Sequence, residues 1–137
     1  MIHIPPKISC DTAPFWAACN ERTLQLRQCE ACGHIYWPAA PFCPACASAN
    51  VKWQKLTGEG TVFSYVVFRQ AFDARLQEAI PYVVAVIRLR EGPKIVSNIL
   101  CCPPEKIFID MPVRVAWSEE GIQRVPQFVP CGTGAKA

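Results

Sequence analysis

The sequence of 137 residues contains no apolar run of about 18 residues, the length that a membrane-spanning helix needs. Residues 1–7 lack the basic and then apolar order of a secretory signal peptide. From these two absences we expect a soluble, cytoplasmic protein with no membrane partner. Histidine is also scarce, since only His3 and His34 are present, and this limits the chemistry that the cysteines could perform.

Neither sign of charge dominates, because 14 Lys and Arg residues oppose 11 Asp and Glu residues and leave a net charge of +3. A nucleic-acid-binding domain usually carries a more concentrated basic face. Apolar residues make up 51% and charged residues 18% of the chain, a composition that excludes a disordered tail. The 13 prolines favour short strands and turns over a helix bundle.

The motifs of an independent enzyme are missing as well. We find no Gly-rich phosphate loop, no Gly-x-Ser-x-Gly elbow and no paired carboxylates at helical spacing. A nucleophilic cysteine needs a base or a cation to form its thiolate. The two histidines lie far from Cys101 and Cys102 in the sequence, so a Cys–His pair there would need a long reach. We interpret these two cysteines as the end of a strand before Pro103-Pro104, with a redox-active pair as the alternative. The sequence predicts no catalytic residue.

The first part of the chain, residues 1–23, is expected to form an arm with a short helix. Thr12 would cap this helix, which would end near Asn20. Its apolar side would carry Phe15, Trp16 and Cys19. A strand over residues 23–28 would then enter a cysteine-rich region, and the segment 24–56 is predicted to be a metal-binding ribbon.

Residues 57–130 read as strands separated by turn residues, and residues 131–137 as a tail. The predicted strands cover residues 61–69, 82–90, 94–100, 111–117 and, as a short addition, 122–125. Alternation predicts one buried face in the second strand, formed by Val83, Ala85, Ile87 and Leu89. We therefore predict a small β-barrel, with an oligonucleotide/oligosaccharide-binding (OB) fold as the leading topology. Residues 70–81 are expected to form a mobile loop.

Alternation in the first barrel strand also places Phe63, Tyr65, Val67 and Arg69 on one face. An apolar wall that ends in a cation could suit a ligand with an apolar part and a phosphate. Packing in the core explains most of the same pattern more simply.

Nine cysteines in a chain without an export signal favour metal binding over a disulfide framework. Cys29, Cys32, Cys43 and Cys46 form two Cys-x-x-Cys pairs, and two tight turns of this kind can complete a tetrahedron around a metal ion. Four thiolates favour Zn²⁺, with iron in a rubredoxin-like site as the alternative. Because no position stays open for substrate, the site would be structural.

The two turns are not identical in sequence. Gly33 follows the first pair, where a tight knuckle often needs a positive φ angle, and Ala47 stands at the matching position of the second pair. We expect some backbone strain at Ala47. Phe15, Trp16, Tyr36 and Trp37 belong to an aromatic cluster around the ribbon, and this cluster predicts an exposed patch for a protein partner.

Several motifs follow one another in a characteristic order. They are Pro14-Phe15-Trp16, Leu24-Gln25-Leu26, Cys29-x-x-Cys32-Gly33, Cys43-Pro44-x-Cys46, Thr57-Gly58-Glu59-Gly60-Thr61-Val62, Pro81-Tyr82-Val83-Val84-Ala85 and Met111-Pro112-Val113. In this order the chain resembles the DUF35 family over residues 12–130. Departures occur at Ala39-Ala40, where the family often has Pro and Arg, and at Asp110, where it usually has Gly.

The resemblance implies a mainly β protein in which a rubredoxin-like zinc ribbon precedes a C-terminal OB fold. It also implies an accessory, non-catalytic role in a hetero-oligomer with a thiolase-like subunit that acts on acyl-CoA substrates. Cations that could meet the phosphates of CoA are Arg69, Arg75, Arg88, Arg90 and Lys94. A single-stranded nucleic-acid-binding protein remains the alternative, since ribbons and OB barrels serve that purpose too.

Overall fold

The computed structural model describes residues 6–118 and 123–131. One α-helix and eight strands lie in these ranges: α1 (Ala13–Asn20), β1 (Gln25–Cys29), β2 (Ile35–Tyr36), β3 (Val51–Lys55), β4 (Glu59–Phe68), β5 (Tyr82–Leu89), β6 (Lys94–Asn98), β7 (Pro112–Trp117) and β8 (Pro126–Pro130). Short 3₁₀-helices cover Ala74–Ala79 and Pro104–Lys106. No helix in the described ranges is long and apolar enough to cross a membrane. The predicted mainly β class is confirmed.

The ribbon is a three-stranded antiparallel sheet in the order β2-β1-β3. Arg27 on β1 lies opposite Trp53 on β3, and its guanidinium carbon is 4.5 Å from the centre of the indole ring. This cation–π pair links β1 to β3 through Trp53, whose side chain also packs against the larger core.

The barrel is a five-stranded antiparallel sheet in the order β6-β5-β4-β7-β8. Its two outer strands approach each other where Ile99 forms a parallel bridge to Phe128. The backbone N–H of Leu100 donates to the carbonyl of Phe128 at 2.8 Å, and the Ser97 hydroxyl donates to the carbonyl of Pro126 at 2.8 Å. These bonds close the sheet into the predicted OB barrel.

One apolar core joins the helix and the ribbon to the barrel. The predicted face of β5 is buried, since Val83, Ala85, Ile87 and Leu89 are each at most 3% exposed. Phe15 and Cys19 from α1 and Leu24 and Leu26 from the ribbon side belong to the same cluster. The ribbon is therefore anchored to the main core through Leu26 on its own strand β1, while its small separate cluster surrounds the cysteines.

The structure corrects two local expectations and adds detail to a third. Thr12 precedes α1, as predicted, but its side chain does not cap the helix and accepts instead from the backbone N–H of Ser9 at 2.9 Å. Ala74–Ala79 forms a 3₁₀-helix within the segment expected to be a mobile loop. Residues 123–125 are not a strand; β8 begins at Pro126, and Ile122 lies outside the described residues.

A β-bulge corrects the predicted face of the first barrel strand. The pairing between β4 and β5 shifts between Val62 and Ser64, so Phe63 is the extra residue. Tyr65 and Val67 pack against the core, as expected, whereas Phe63 is 42% exposed on the opposite side. A bulge re-aims a side chain in this way because it breaks the two-residue alternation of the strand.

Candidate metal centre

The two Cys-x-x-Cys turns have the same backbone hydrogen bonds. In the first, the N–H of Gly33 donates to the carbonyl of Cys29 and the N–H of Cys29 donates to the carbonyl of His34, each at 2.9 Å. In the second, Ala47 donates to Cys43 and Cys43 donates to Ser48 at 2.8 and 2.9 Å. The two halves of the site are therefore built alike, although they share little sequence beyond the cysteines.

The four cysteine sulfurs, of Cys29, Cys32, Cys43 and Cys46, all lie within 4.8 Å of one another. Sγ of Cys29 is 3.6 Å from Sγ of Cys46, and Sγ of Cys32 is 3.7 Å from Sγ of Cys43. A tetrahedral site with metal–sulfur bonds of about 2.3 Å has sulfur–sulfur edges of about 3.8 Å. The sulfur positions therefore fit a four-thiolate metal ion, and the cysteines are positioned to bind one.

Backbone N–H groups point at the sulfurs of the two buried cysteines. Sγ of Cys29 accepts from Ala31 at 3.3 Å and from Cys32 at 3.4 Å, and Sγ of Cys43 accepts from Ala45 at 3.3 Å. The Cys32 N–H is the main cause that lowers the pKa of the Cys29 thiol to about 7, and the Ala31 N–H adds to it. Such donors favour the thiolate form, which is the form that binds a metal.

The expected strain at Ala47 is present. Its φ angle is +65°, close to the +81° of Gly33 at the matching position. A left-handed conformation costs an ordinary residue roughly 1–2 kcal/mol. The second turn therefore has nearly the same backbone geometry as the first, at an energetic cost. We expect such a cost if the metal site requires Cys46 to lie where it does. Asp110, where the family usually has Gly, is likewise left-handed, at +71°.

Within the described residues, the remaining cysteines do not form a catalytic site with a histidine. His34, the one histidine within the described residues, is exposed and stacks against Tyr36, with ring centres 5.9 Å apart. Burial raises the pKa of the Cys19 thiol to about 12, and burial also raises the pKa of Cys102. The Cys19 thiol is therefore protonated near neutral pH, and burial disfavours the reactive thiolate form of Cys102 as well.

The aromatic residues predicted to face a partner are less accessible than expected. Phe15 and Tyr36 are only 3% and 4% exposed, which corrects the expectation that they form an exposed patch. Phe15 lies in the main core, and the Tyr36 hydroxyl donates to the carbonyl of Ala40 at 2.7 Å. Trp16 and Trp37 are half-buried against the same core, so their role at an interface stays a prediction.

The structure separates the five predicted CoA-binding cations into two groups. Arg88 and Arg90 line an open depression of about 530 Å³ beside Gly60 and Pro112, and Lys94 lies opposite Arg88 in the β5–β6 pair. Arg90 also forms an ion pair with Glu59 at 3.0 Å. The second group consists of Arg69 and Arg75, which lie past the other end of β4. Arg75 forms an ion pair with Asp73 at 2.7 Å.

Sequence reasoning missed a polar contact that fixes the end of α1. The side chain of Arg124 donates to the carbonyl of Asn20, and the backbone N–H of Arg124 donates to the Asn20 side chain, both at 2.9 Å. The Gln123 amide donates to the carbonyl of Trp16 at 2.9 Å. No local pattern could reveal these contacts, because more than 100 residues separate the partners.

Comparison with family models divides the chain into two matched segments. Residues 16–52 match the rubredoxin-like zinc ribbon domain of ChsH2, and residues 53–118 match the C-terminal OB-fold domain of ChsH2. The ribbon match contains all four clustered cysteines. The two matches together cover most of the chain.

Two curated relatives are similar over most of this chain. A probable enoyl-CoA hydratase alpha subunit from Thermomonospora curvata is 36% identical over 114 residues, which are 83% of this chain but 35% of that protein. The chain thus spans about a third of that relative. A DUF35 domain-containing scaffold protein from Methanocaldococcus jannaschii is 35% identical over 104 residues, 74% of this chain and 73% of the relative.

A solved structure described as an Ltp2-ChsH2(DUF35) aldolase contains a similar chain. It superposes with a TM-score of 0.81 and 34% identity, and the match covers 92% of this chain and 98% of that chain. The similarity therefore includes the ribbon and the barrel together, in the same relative arrangement.

Proposed function

The chain belongs to the DUF35 family, in which a ChsH2-type zinc ribbon precedes an OB-fold domain, and we propose that it is a non-catalytic subunit of an acyl-CoA-processing complex. The observation that carries this proposal is the match, over nearly the whole length of both chains, to a chain of the Ltp2-ChsH2(DUF35) aldolase. One relative similar to this chain is named as a probable enoyl-CoA hydratase alpha subunit, and this name supports the proposal that the complex acts on acyl-CoA. The complex would be a hetero-oligomer.

A structural role for the metal agrees with a non-catalytic subunit. Four thiolates complete a tetrahedron, so a metal ion held by them has no open position for water or substrate. We propose Zn²⁺ as this ion, because it is redox-inert and suits an all-sulfur tetrahedral site. The ion would fix the two turns of the ribbon and take no part in a chemical step.

The catalytic groups would come from another chain. Among the described residues no cysteine is paired with a histidine, and the paired carboxylates of an acid–base enzyme were not found in the sequence. We propose a thiolase-like partner that supplies the catalytic cysteine and histidine for cleavage or formation of a carbon–carbon bond. This chain would support the assembly and border the entrance for acyl-CoA.

The proposal is tested by affinity purification of the tagged full-length chain from extracts of its native cells. We expect one stoichiometric partner of the thiolase superfamily, and turnover of acyl-CoA thioesters by the complex but not by this chain alone. The measurements are mass spectrometry of the co-purified proteins and an acyl-CoA assay of each fraction. Turnover by the isolated chain that is lost on Cys101→Ala or Cys102→Ala would contradict the proposal, as would recovery with nucleic acid and no protein partner.

The depression beside Arg88 and Arg90 is our proposed contact for the phosphates of CoA. Exposed guanidinium groups form charge-assisted hydrogen bonds with phosphate, and the open volume of about 530 Å³ suits part of such a ligand. We expect Arg88→Ala/Arg90→Ala to weaken CoA binding by the complex about tenfold in a calorimetric titration. The control, Arg69→Ala/Arg75→Ala, makes the same change of charge at the other end of the barrel; equal losses from both would contradict the assignment.

A further inference from the structure

Four valines form an exposed apolar surface on the outer side of the barrel. Val66 on β4 lies opposite Val84 on β5, and Val86 on β5 lies opposite Val96 on β6. Val66 is 53% and Val96 67% exposed, and none of the four packs against either core cluster. We call these four side chains the valine face. Contiguous exposed apolar side chains of this kind mark interaction sites.

One end of the valine face is positively charged. The bulge residue Phe63 lies there between two cations, with its ring centre 4.7 Å from Cζ of Arg88 and 4.6 Å from Nζ of Lys94. Within residues 6–118 and 123–131, neither cation forms an ion pair with a carboxylate. The aromatic ring thus holds two uncompensated positive charges beside the apolar surface.

We propose that the valine face is the surface on which the catalytic subunit docks. The complementary surface of that subunit is apolar opposite the valines and carries a carboxylate opposite Lys94. This inference rests on the proposed function and adds which face of the barrel makes the contact. Burial of the valines supplies the favourable hydrophobic term, and the charge of Lys94 fixes the orientation of the partner.

Charge favours a different protein over a second copy of this chain. Glu59 is the only carboxylate in the strands β4, β5 and β6, and it is already bonded to Arg90 at 3.0 Å. A second copy placed face to face would therefore bring two further cations and no free carboxylate from these strands. A partner with its own acidic groups compensates Lys94, and a second copy does not.

The inference is tested with Val96→Asp in the full-length chain, using the catalytic subunit identified by the affinity purification. Aspartate at this exposed site places a charge within the apolar contact and leaves the core untouched. We expect the dissociation constant for the subunit, measured by surface plasmon resonance, to rise about tenfold or more. Lys94→Glu is expected to weaken binding less, mainly through a slower association rate that depends on salt.

Ile109→Asp is the matched control, because Ile109 is similarly exposed at 53% but lies outside the three strands that carry the valine face. It lies two residues after Ile107, whose carbonyl accepts a hydrogen bond from Tyr65 on the core side of β4. If Val96→Asp changes the far-ultraviolet circular dichroism spectrum, its fold is altered and its binding cannot be compared. Val66→Asp then serves as a second variant of the valine face. Unchanged affinity in both valine variants overturns the inference and leaves the proposed function intact.

Two other results would also overturn it. If the isolated chain dimerises in analytical ultracentrifugation and Val96→Asp abolishes the dimer, the valine face is a contact between copies. If the wild-type chain recovers no catalytic subunit, the proposed function fails and the inference fails with it. A loss of binding in the valine variants, with wild-type affinity in Ile109→Asp, supports docking on this face.

Discussion

Replacing Cys43 by serine is expected to abolish metal binding and to unfold the ribbon while the barrel keeps its structure. Cys43 is 2% exposed, and its sulfur lies 3.7 Å from that of Cys32. The ribbon has only a small core of its own, formed by the two buried cysteines and Tyr36 with two partly buried neighbours. Apparent free energies of structural zinc binding are about 10–16 kcal/mol in zinc-finger peptides, more than such a small core can supply.

Metal analysis by mass spectrometry measures the loss of the metal ion, and nuclear magnetic resonance spectra show whether the ribbon unfolds while the barrel keeps its structure. The purified wild-type chain should contain one zinc ion per molecule, and Cys43→Ser should contain none. Cys10→Ser is the control, because Cys10 is an exposed cysteine outside the cluster. A coloured wild-type protein that contains iron would contradict the choice of zinc. Full retention of the metal in Cys43→Ser would contradict the four-thiolate site itself.

The metal cluster could be predicted from sequence because each half of it is local. A Cys-x-x-Cys turn places two sulfurs within a few residues, and its hydrogen bonds run between residues four or five positions apart. Even the strain at Ala47 follows from the comparison of the two turns. The buried face of β5 was predictable for a similar reason, since alternation depends only on the strand itself.

The remaining features depend on contacts that the sequence pattern does not contain. The side of β4 on which Phe63 lies is set by a bulge, which shifts the alternation by one residue. Phe15 and Tyr36 are buried because α1 and the ribbon pack on neighbouring elements, and composition alone had suggested exposure. Alternation in β5 leaves Val84 and Val86 on its other face, but it does not show that Val66 and Val96 lie beside them, because that depends on the register between strands.

Phe128→Ala is expected to destabilise the whole barrel by about 3–5 kcal/mol. Phe128 is fully buried and lies on β8, the strand that closes the sheet against β6. Removal of the ring leaves a cavity at this closure, although the backbone bond from Leu100 to the carbonyl of residue 128 can remain. Domains are stable by only about 5–15 kcal/mol, so a large fraction of the stability is lost.

Urea denaturation of the metal-bound chain measures this effect, and Phe72→Ala provides the matched control. Phe72 is 73% exposed, so the same truncation there should change the free energy of unfolding by less than about 0.5 kcal/mol. Phe128→Leu keeps most of the buried volume and should fold even if Phe128→Ala does not. Because residues 123–125 connect β8 to the contacts at the end of α1, loss of the closure should also loosen the helix. Equal stability of Phe128→Ala and Phe72→Ala would show that β8 does not close the barrel core.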